Sequence, residues 1–353
     1  MINKRPLGSC ELMVSEIGLG TMNFGHDVEP QLAKQLLSIA VERGVNLLDT
    51  AETYPYPPTA NTYGHSENII GRWLNDVRCR DQLVLVSKIA GPSSHLPFVR
   101  DGQSKFNRQN ITAWLEQTLR RLRTDYLDIG LLHWPERATN TLGQLDYKPA
   151  RKETSPPAAL RDLEETLIAL NDSVTAGKIR YLGLSNETPW GIMSFLRLAE
   201  RLGLAKIAVV QNRYHLLDRS FDIALTEIVE REALGFMAYS PLAFGLLSSK
   251  FSPQSGAQEN SRLERTKKLH PYLSKASIAA AEQYHRLAAD FGIDIAHMAI
   301  AYLLSRRYVS SVLVGASSLE QLTHNLSATD HQLNKQLLTA IDKIHRLRPN
   351  PCL

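Results

Sequence analysis

The sequence predicts one α/β domain over residues 1–353, a (β/α)8 or TIM barrel. Eight short apolar runs recur along the chain, and amphipathic helical segments separate them with no change of character from end to end. The runs are mainly unbroken Val, Ile and Leu, which is typical of parallel strands that helices bury on both faces. Eight such units are the number that closes a barrel within one domain.

The predicted strands are the short apolar runs. They cover residues 14–20, 45–48, 83–87, 127–132, 179–184, 207–210, 235–239 and 311–315. The predicted helices carry apolar residues three and four positions apart, as Leu32, Leu36 and Ile39 do in the first of them. They cover residues 31–43, 110–121, 160–176, 189–202, 221–231, 275–291, 295–305 and 319–326.

A doubly wound sheet gives a similar alternation and is the alternative fold. Its dinucleotide fingerprint requires three glycines that lead into a helix. The stretch Gly18-Leu-Gly20-Thr-Met-Asn23 contains the first two glycines, but Asn23 stands in the third position. The barrel is therefore the better prediction.

The composition argues against several classes of function. The net charge of +4 is mild, and Lys and Arg are interspersed with Asp and Glu, which does not favour a nucleic-acid or membrane surface. Cys10, Cys79 and Cys352 are far apart and form no Cys-x-x-Cys pair, so we expect no metal and a reducing cytoplasm. The chain has neither a signal-peptide pattern nor an apolar run of about 20 residues, which predicts a soluble cytoplasmic protein.

The stretch 46–54, Asn-Leu-Leu-Asp-Thr-Ala-Glu-Thr-Tyr, carries the first chemical signal. An apolar strand ends at Asp49, and Tyr54 follows five residues later. A phenol with a pKa of about 10 is a poor acid at neutral pH, so a useful one needs a nearby cation, and a cation among apolar groups needs a carboxylate. Lys88, the last residue of Leu83-Val-Leu-Val-Ser-Lys, is the candidate cation.

Polar residues follow the predicted strands, at the end where barrel enzymes carry their catalytic groups. These residues are Thr21, Asp49, Lys88, His133, Ser185, Asn186, Gln211, Asn212, Ser240 and Ser317. Each one could be an ordinary cap or turn residue. Together with Tyr54, they are expected to converge on one mouth of the barrel.

Several motifs resemble the aldo-keto reductase superfamily, and within it the bacterial Tas-type branch. They run from about residue 5 to residue 345. The motifs are Gly18-Leu-Gly-Thr-Met22, Leu48-Asp-Thr-Ala-Glu-Thr-Tyr54, Ser87-Lys88, Asp125-Tyr-Leu-Asp128, His133-Trp-Pro135, Gly177-Lys-Ile-Arg-Tyr-Leu-Gly-Leu-Ser-Asn186, Gln211-Asn212, Tyr239-Ser-Pro-Leu242 and Val314-Gly-Ala-Ser-Ser-Leu-Glu-Gln321 with Asn325.

The resemblance implies a catalytic tetrad of Asp49, Tyr54, Lys88 and His133 that reduces a small-molecule aldehyde or ketone. Tyr54 would donate a proton to the carbonyl oxygen, and Lys88 would lower the pKa of that tyrosine. Asp49 would neutralise Lys88, and His133 would orient the carbonyl. The hydride would come from NADPH, with the protein supplying position and electrostatics.

The resemblance also implies an NADP(H) site across the barrel mouth. Tyr239 would stack on the nicotinamide, and Ser185, Asn186 and Gln211 would bind its carboxamide side. The complete set of implied cofactor residues is Thr21, Met22, Ser185, Asn186, Gln211, Tyr239, Ser240, Pro241, Leu242, Lys250, Arg262, Gly315, Ser317, Gln321 and Asn325.

The adenosine end departs from the family pattern. Gln321, which has no charge, stands where some branches carry an arginine, and His324 stands where an acidic residue often precedes the Asn. By resemblance, Lys250 and Arg262 in the long stretch 243–271 would reach the phosphates of the cofactor. By physics alone they could equally be exposed loop charges.

Substrate and partner predictions are coarser. Phe24 and Trp134 are candidates for the substrate pocket, with packing at the barrel rim as the alternative. The long stretches 55–65, 89–108 and 135–157 are predicted to shape this pocket. The competing function is an NADPH-binding redox-sensing or scaffold protein, because potassium-channel β-subunits share both barrel and tetrad. A closed barrel exposes no sheet edge, so we expect a monomer or weak oligomer.

Overall fold

The computed structural model describes residues 2–140, 146–148, 156–252, 256–257, 262–265 and 272–352. Its strands are β1 Lys4–Pro6, β2 Met13–Ser15, β3 Ile17–Gly20, β4 Leu47–Asp49, β5 Val84–Ile89, β6 Leu127–Leu132, β7 Ile179–Ser185, β8 Ile207–Arg213, β9 Gly235–Tyr239, β10 Phe251–Ser252, β11 Gly256–Ala257 and β12 Ser311–Val314. Its α-helices are α1 Pro30–Glu42, α2 His65–Val77, α3 Arg108–Leu122, α4 Pro156–Thr175, α5 Pro189–Leu202, α6 Ser220–Ala224, α7 Thr226–Arg231, α8 Arg262–Arg265, α9 Lys275–Asp290, α10 Ile295–Leu304, α11 Leu319–Leu326 and α12 Lys335–Leu347.

The predicted (β/α)8 barrel is confirmed. Strands β3 to β9 and β12 pair in parallel, and β12 closes the barrel by pairing with both β3 and β9. One layer of core lies between this barrel and the surrounding helices, built from fully buried residues such as Leu36, Trp114 and Phe195. Strands flanked in this way must be apolar on both faces, which explains the unbroken apolar runs in the sequence.

The first predicted strand, residues 14–20, is wrong in one respect, because the structure divides it. Met13–Ser15 pairs antiparallel with Lys4–Pro6, and only Ile17–Gly20 belongs to the barrel. Glu16 separates the two parts and forms an ion pair with Arg5, at 2.9 Å between Arg5 Nη2 and Glu16 Oε2. This hairpin covers the N-terminal end of the barrel, where the apolar residues of the hairpin pack against the barrel interior.

Several helical regions also differ from the prediction, which contained no counterpart of α8 or α12. The predicted helix 221–231 is two helices, α6 and α7, because Leu225 has φ −121° and ψ −20°, outside the helical range. Helix α2 was not predicted, and it follows directly after Gly64, whose φ is +75°. The buried Ile69, Ile70 and Trp73 of α2 lie at helical spacing, so its periodicity was available from the sequence.

None of the helices in the described ranges is by itself both long and apolar enough to cross a membrane. Helices α9 and α10 satisfy that length and composition only as a pair, and the pair is bent by 95°.

Candidate active site

The C-terminal ends of the barrel strands bring polar groups to one mouth. Asp49 is the last residue of β4, Lys88 lies near the end of β5, and Ser185 and Tyr239 end β7 and β9. Parallel neighbours in a closed barrel present the same ends on the same side, so residues that are far apart in sequence meet there.

Lys88 is the centre of this cluster. Its side chain is 0% exposed. Its Nζ lies 2.7 Å from Asp49 Oδ2, 2.8 Å from the carbonyl oxygen of Thr50 and 3.4 Å from the hydroxyl of Tyr54. Burial lowers the pKa of Lys88 from its ordinary value, and the charge of Asp49 opposes that effect. The cation is therefore held at a fixed distance from a phenol.

Both oxygens of the Asp49 carboxylate are engaged. Lys88 binds Oδ2, and Gln211 Nε2 donates to Oδ1 at 2.7 Å. Gln211 comes from β8, on the other side of the barrel from β4 and β5. A carboxylate held from two sides keeps one orientation, so Asp49 sets the position of the lysine ammonium.

His133 lies on the wall of the mouth beside Tyr54. The ring centroids are 5.8 Å apart with an interplanar angle of 76°. Burial lowers the pKa of His133 well below its usual range, and the positive charge of Lys88 lowers it further. The imidazole is therefore neutral at neutral pH. Its Nδ1 atom is buried and has no hydrogen-bond partner among the described residues.

Asn186 follows β7, the strand that pairs with β6, and therefore lies beside His133 at the mouth. It has a φ of +56°, and its Nδ2 donates to the carbonyl oxygen of His133 at 2.9 Å and to Ser185 Oγ at 3.1 Å. The hydroxyl of Tyr239 donates to Asn186 Oδ1. Burial raises the pKa of Tyr239 to about 12, so this tyrosine remains a hydrogen-bond donor across the physiological range.

The loop between β12 and α11 forms a second polar cradle. The N–H and hydroxyl of Ser317 both donate to Gln321 Oε1 at 3.0 Å. Two donors that converge on one acceptor oxygen at a helix N-terminus suit an oxygen of a phosphate group. Nearby, Asn325 is buried and donates to the carbonyl of the exposed Gly315 at 3.3 Å. The residues present therefore fit the phosphate end of a nucleotide cofactor.

The remaining predicted cofactor residues are spread around the mouth. Thr21 is buried and its hydroxyl donates to the carbonyl of Asp49 at 3.0 Å, while Met22 follows it and is partly exposed. Ser240, Pro241 and Leu242 form the turn after β9, in which Ser240 has a φ of +59°.

The two predicted phosphate-binding cations lie in the segment between β9 and α9. Lys250 is half-buried and lies directly before β10. The backbone of Arg262 opens α8, but its side chain lies outside the described part of the structure.

The two predicted substrate residues have different environments. Trp134 is partly exposed, its ring centroid is 4.8 Å from that of His133, and its Nε1 donates to the carbonyl of Pro92 at 3.2 Å. Phe24 is 0% exposed and packs inside the apolar layer between barrel and helices. Its position supports the packing alternative and not a substrate contact.

A buried cluster of hydrogen bonds around the single carboxylate of Glu52 was not predicted. Glu52 is 0% exposed and accepts from Arg100 at 2.7 and 3.0 Å, from the Ala90 N–H at 2.6 Å and from the hydroxyl of Tyr63. Glu52 therefore joins the Asp49–Tyr54 segment to the loop after β5. The Glu within Asp-Thr-Ala-Glu-Thr-Tyr was visible in the sequence, but the distant Arg100 was not identifiable as its partner.

The chain is a TIM-barrel oxidoreductase. This class of protein is defined by the closed parallel barrel together with the family model that matches the chain. The chain belongs to the aldo/keto reductase family, whose model matches residues 16–346. This family uses a nicotinamide cofactor to reduce small-molecule carbonyl compounds.

Three relatives show how far the similarity extends. Protein tas of Escherichia coli (strain K12) is 38% identical over 344 residues, which cover 96% of each chain. An aldo-keto reductase of Babesia bovis is 33% identical over 252 residues, 69% of this chain and 88% of the relative. The uncharacterized oxidoreductase YrpG of Bacillus subtilis (strain 168) is 27% identical over 339 residues, 96% of this chain and 94% of the relative.

Proposed function

We propose that the protein is an NADPH-dependent reductase that converts an aldehyde or ketone to the alcohol, with Tyr54 as the general acid. The contact that carries this proposal is the 3.4 Å distance between Lys88 Nζ and the Tyr54 hydroxyl, with Lys88 held by Asp49 at 2.7 Å. A nearby ammonium stabilises a phenolate and so makes the phenol a stronger acid.

Each group at the mouth has one proposed task in the reduction. Tyr54 gives its proton to the carbonyl oxygen, and Lys88 stabilises the phenolate that remains. Asp49 holds Lys88, and the neutral His133 offers a hydrogen bond that orients the carbonyl oxygen. NADPH, when bound, would supply the hydride for the carbonyl carbon, and this hydride together with the proton from Tyr54 would give the alcohol.

The proposed cofactor site extends from Tyr239 to α11. Tyr239 would stack on the nicotinamide, and Asn186, Gln211 and Ser185 would hold its carboxamide side. Ser317 would donate to a phosphate oxygen of the cofactor in place of Gln321 Oε1. The other proposed cofactor contacts are Thr21, Met22, Ser240, Pro241, Leu242, Lys250, Arg262, Gly315 and Asn325.

We further propose that residues 1–353 form one domain that works in the cytoplasm as a monomer or weak oligomer. The closed barrel supports the proposed quaternary state, because closure leaves the barrel sheet without an exposed edge for pairing with another chain. Light scattering at low micromolar concentration tests the quaternary state, and a stable tetramer would contradict it.

Two measurements test the function. Titration with NADPH should quench the protein fluorescence and shift the cofactor emission to the blue, and turnover should follow with at least one member of a panel of aldehydes, quinones and ketoses. Absence of NADPH binding would overturn the whole proposal. Binding without turnover of any carbonyl would instead favour the redox-sensing or scaffold function, which a pull-down experiment can then pursue.

A further inference from the structure

Three histidines and an aspartate meet on the outside of the barrel, away from the Lys88 cluster. Asp294 caps α10 and His297 lies in the first turn of that helix, while His324 lies near the end of α11. The rings of His297 and His324 stack with centroids 4.1 Å apart. The ring centroid of His331 is 4.6 Å from that of His297.

The potential ligand atoms of this cluster lie near enough to one another to reach a single ion. One ring nitrogen of His297, one of His324 and one carboxylate oxygen of Asp294 all lie within 4.8 Å of one another. The contact between His324 Nε2 and Asp294 Oδ1 is 3.0 Å. In a tetrahedral site with bonds of about 2.0–2.1 Å, neighbouring ligand atoms are about 3.3 Å apart. Small side-chain movements therefore suffice to bring all three atoms onto one ion.

One ring nitrogen of His297 makes the kind of hydrogen bond that orients a metal-binding histidine. Its Nε2 lies 2.8 Å from the carbonyl oxygen of His324 and 3.1 Å from Ser327 Oγ. A carbonyl oxygen only accepts, so Nε2 carries the proton in the neutral ring, and Nδ1 keeps the lone pair that a metal requires. Metal-binding histidines almost always donate their other ring N–H in this way.

Helix capping alone does not account for the cluster. Asp294 Oδ1 accepts from the backbone N–H groups of Ala296 and His297 at 2.8 and 3.1 Å, as an N-cap does. That role needs the carboxylate but neither imidazole. Two stacked imidazoles beside the cap are the additional feature, and imidazole with carboxylate is a ligand set that suits Zn²⁺ and related ions.

We propose that Asp294, His297 and His324 form a surface site for a divalent transition metal of the Zn²⁺ class. The side chains of Asp294 and His324 are 32% and 43% exposed, so an ion can enter from solvent and keep a water ligand. The ion joins the start of α10 to the end of α11. The site is separate from the Lys88 cluster, although its helix α11 also carries the proposed cofactor contact Asn325.

Metal titration of the full chain, without a histidine tag, tests the proposal. The protein should bind one Co²⁺ with visible ligand-field absorption, and Zn²⁺ should displace it. Asp294→Asn retains an N-cap, because Asn caps helices as well as Asp does, but it loses the anionic ligand. We expect Asp294→Asn and His324→Gln each to weaken Zn²⁺ binding by at least about 10–100-fold, the loss that removal of even an outer-shell partner causes.

The matched control is His26→Gln. The Nδ1 atom of His26 lies 2.8 Å from Asp27 Oδ1 at the surface, so His26 also forms a histidine–carboxylate contact. This substitution should leave Zn²⁺ affinity unchanged. If His324→Gln does not fold, Asp294→Asn alone decides the question. Failure of the parent chain to bind Co²⁺ or Zn²⁺ would overturn the site, as would equal Zn²⁺ affinity in the parent chain and Asp294→Asn.

Discussion

Lys88 and Asp49 form an ion pair within the barrel, with side chains that are 0% and 5% exposed and 2.7 Å between Nζ and Oδ2. Removal of one partner from such a pair leaves the other charge buried without compensation. The two residues therefore act as one unit in stability, although their proposed chemical tasks differ.

Lys88→Met should destabilise the fold by about 3–5 kcal/mol, because it leaves the Asp49 carboxylate buried without its cation. Reduction should also slow, since no cation remains beside Tyr54. Chemical denaturation and steady-state kinetics measure the two effects. The double variant Lys88→Met/Asp49→Asn should regain stability without regaining turnover. Recovery of turnover in the double variant would show that Lys88 is not needed by the phenol.

Tyr54→Phe tests the proposed acid directly. The substitution removes only a hydroxyl, so we expect kcat to fall by about 10²- to 10⁴-fold while NADPH affinity stays nearly unchanged. Steady-state kinetics measures kcat, and a fluorescence titration measures the affinity for NADPH. Turnover that survived at the parental rate would exclude Tyr54 as the proton donor.

Glu52 and Arg100 should be coupled energetically, because their two hydrogen bonds of 2.7 and 3.0 Å are shielded from solvent. Arg100→Met should cost about 3–5 kcal/mol of unfolding free energy, since it leaves a buried carboxylate without its cation. Glu52→Gln/Arg100→Met should lose less than the two single variants combined, with a coupling of about 0.5–3 kcal/mol.

A denaturant-based double-mutant cycle measures this coupling. The exposed pair Arg231 and Glu227, whose side chains are both 76% exposed, provides the control and should show little coupling. Strict additivity at Glu52 and Arg100 would mean that the loop after β5 is held by other contacts.

His215 should make the fold less stable in mild acid. Burial is the main cause that lowers the pKa of His215 to about 3. The imidazole therefore becomes protonated near pH 6.5 in the unfolded chain but stays neutral at that pH in the folded chain. Its contribution to the free energy of unfolding is complete above about pH 6.5 and is lost as the pH falls towards 3. The loss is about 2 kcal/mol at pH 5.

The variant His215→Asn tests this contribution, because its side-chain oxygen can still accept the Leu217 N–H that now donates to His215 Nδ1 at 3.2 Å. Unfolding free energies at pH 5 and pH 7 should differ less in His215→Asn than in the parent chain. His95→Asn, at an exposed position, is the control. An equal pH dependence in the parent chain and His215→Asn would show that the buried imidazole accepts its proton in the folded state.

Gln321→Arg should strengthen NADPH binding relative to NADH. The arginine would add a charge-assisted hydrogen bond to the 2′-phosphate, worth roughly 1.5–3 kcal/mol or about 10–150-fold in Kd. NADH affinity should hardly change. Gln321→Met is the control, because it removes the contact with Ser317 without adding charge. Equal gains for both cofactors in Gln321→Arg would place the new charge on the shared pyrophosphate.

The sequence by itself determined the fold class and drew attention to the Asp49, Tyr54 and Lys88 stretch. Both signals are local in the sequence. Strands that are buried on both faces must be continuously apolar, and the residue at the C-terminal end of such a strand lies at the mouth of the barrel. Helix α5 was predicted at its observed bounds for the same reason, since its apolar spacing and its first proline are contained within one segment.

Tertiary structure alone decided which distant partners meet. Gln211 binds Asp49 across the barrel, Arg100 reaches Glu52 from a long loop, and His324 stacks on His297 from another helix. The complete burial of Phe24 in the apolar layer was likewise visible only in the structure. Such contacts depend on barrel closure and on the path of the loops, because pairing between remote side chains has no periodicity that a single sequence can display.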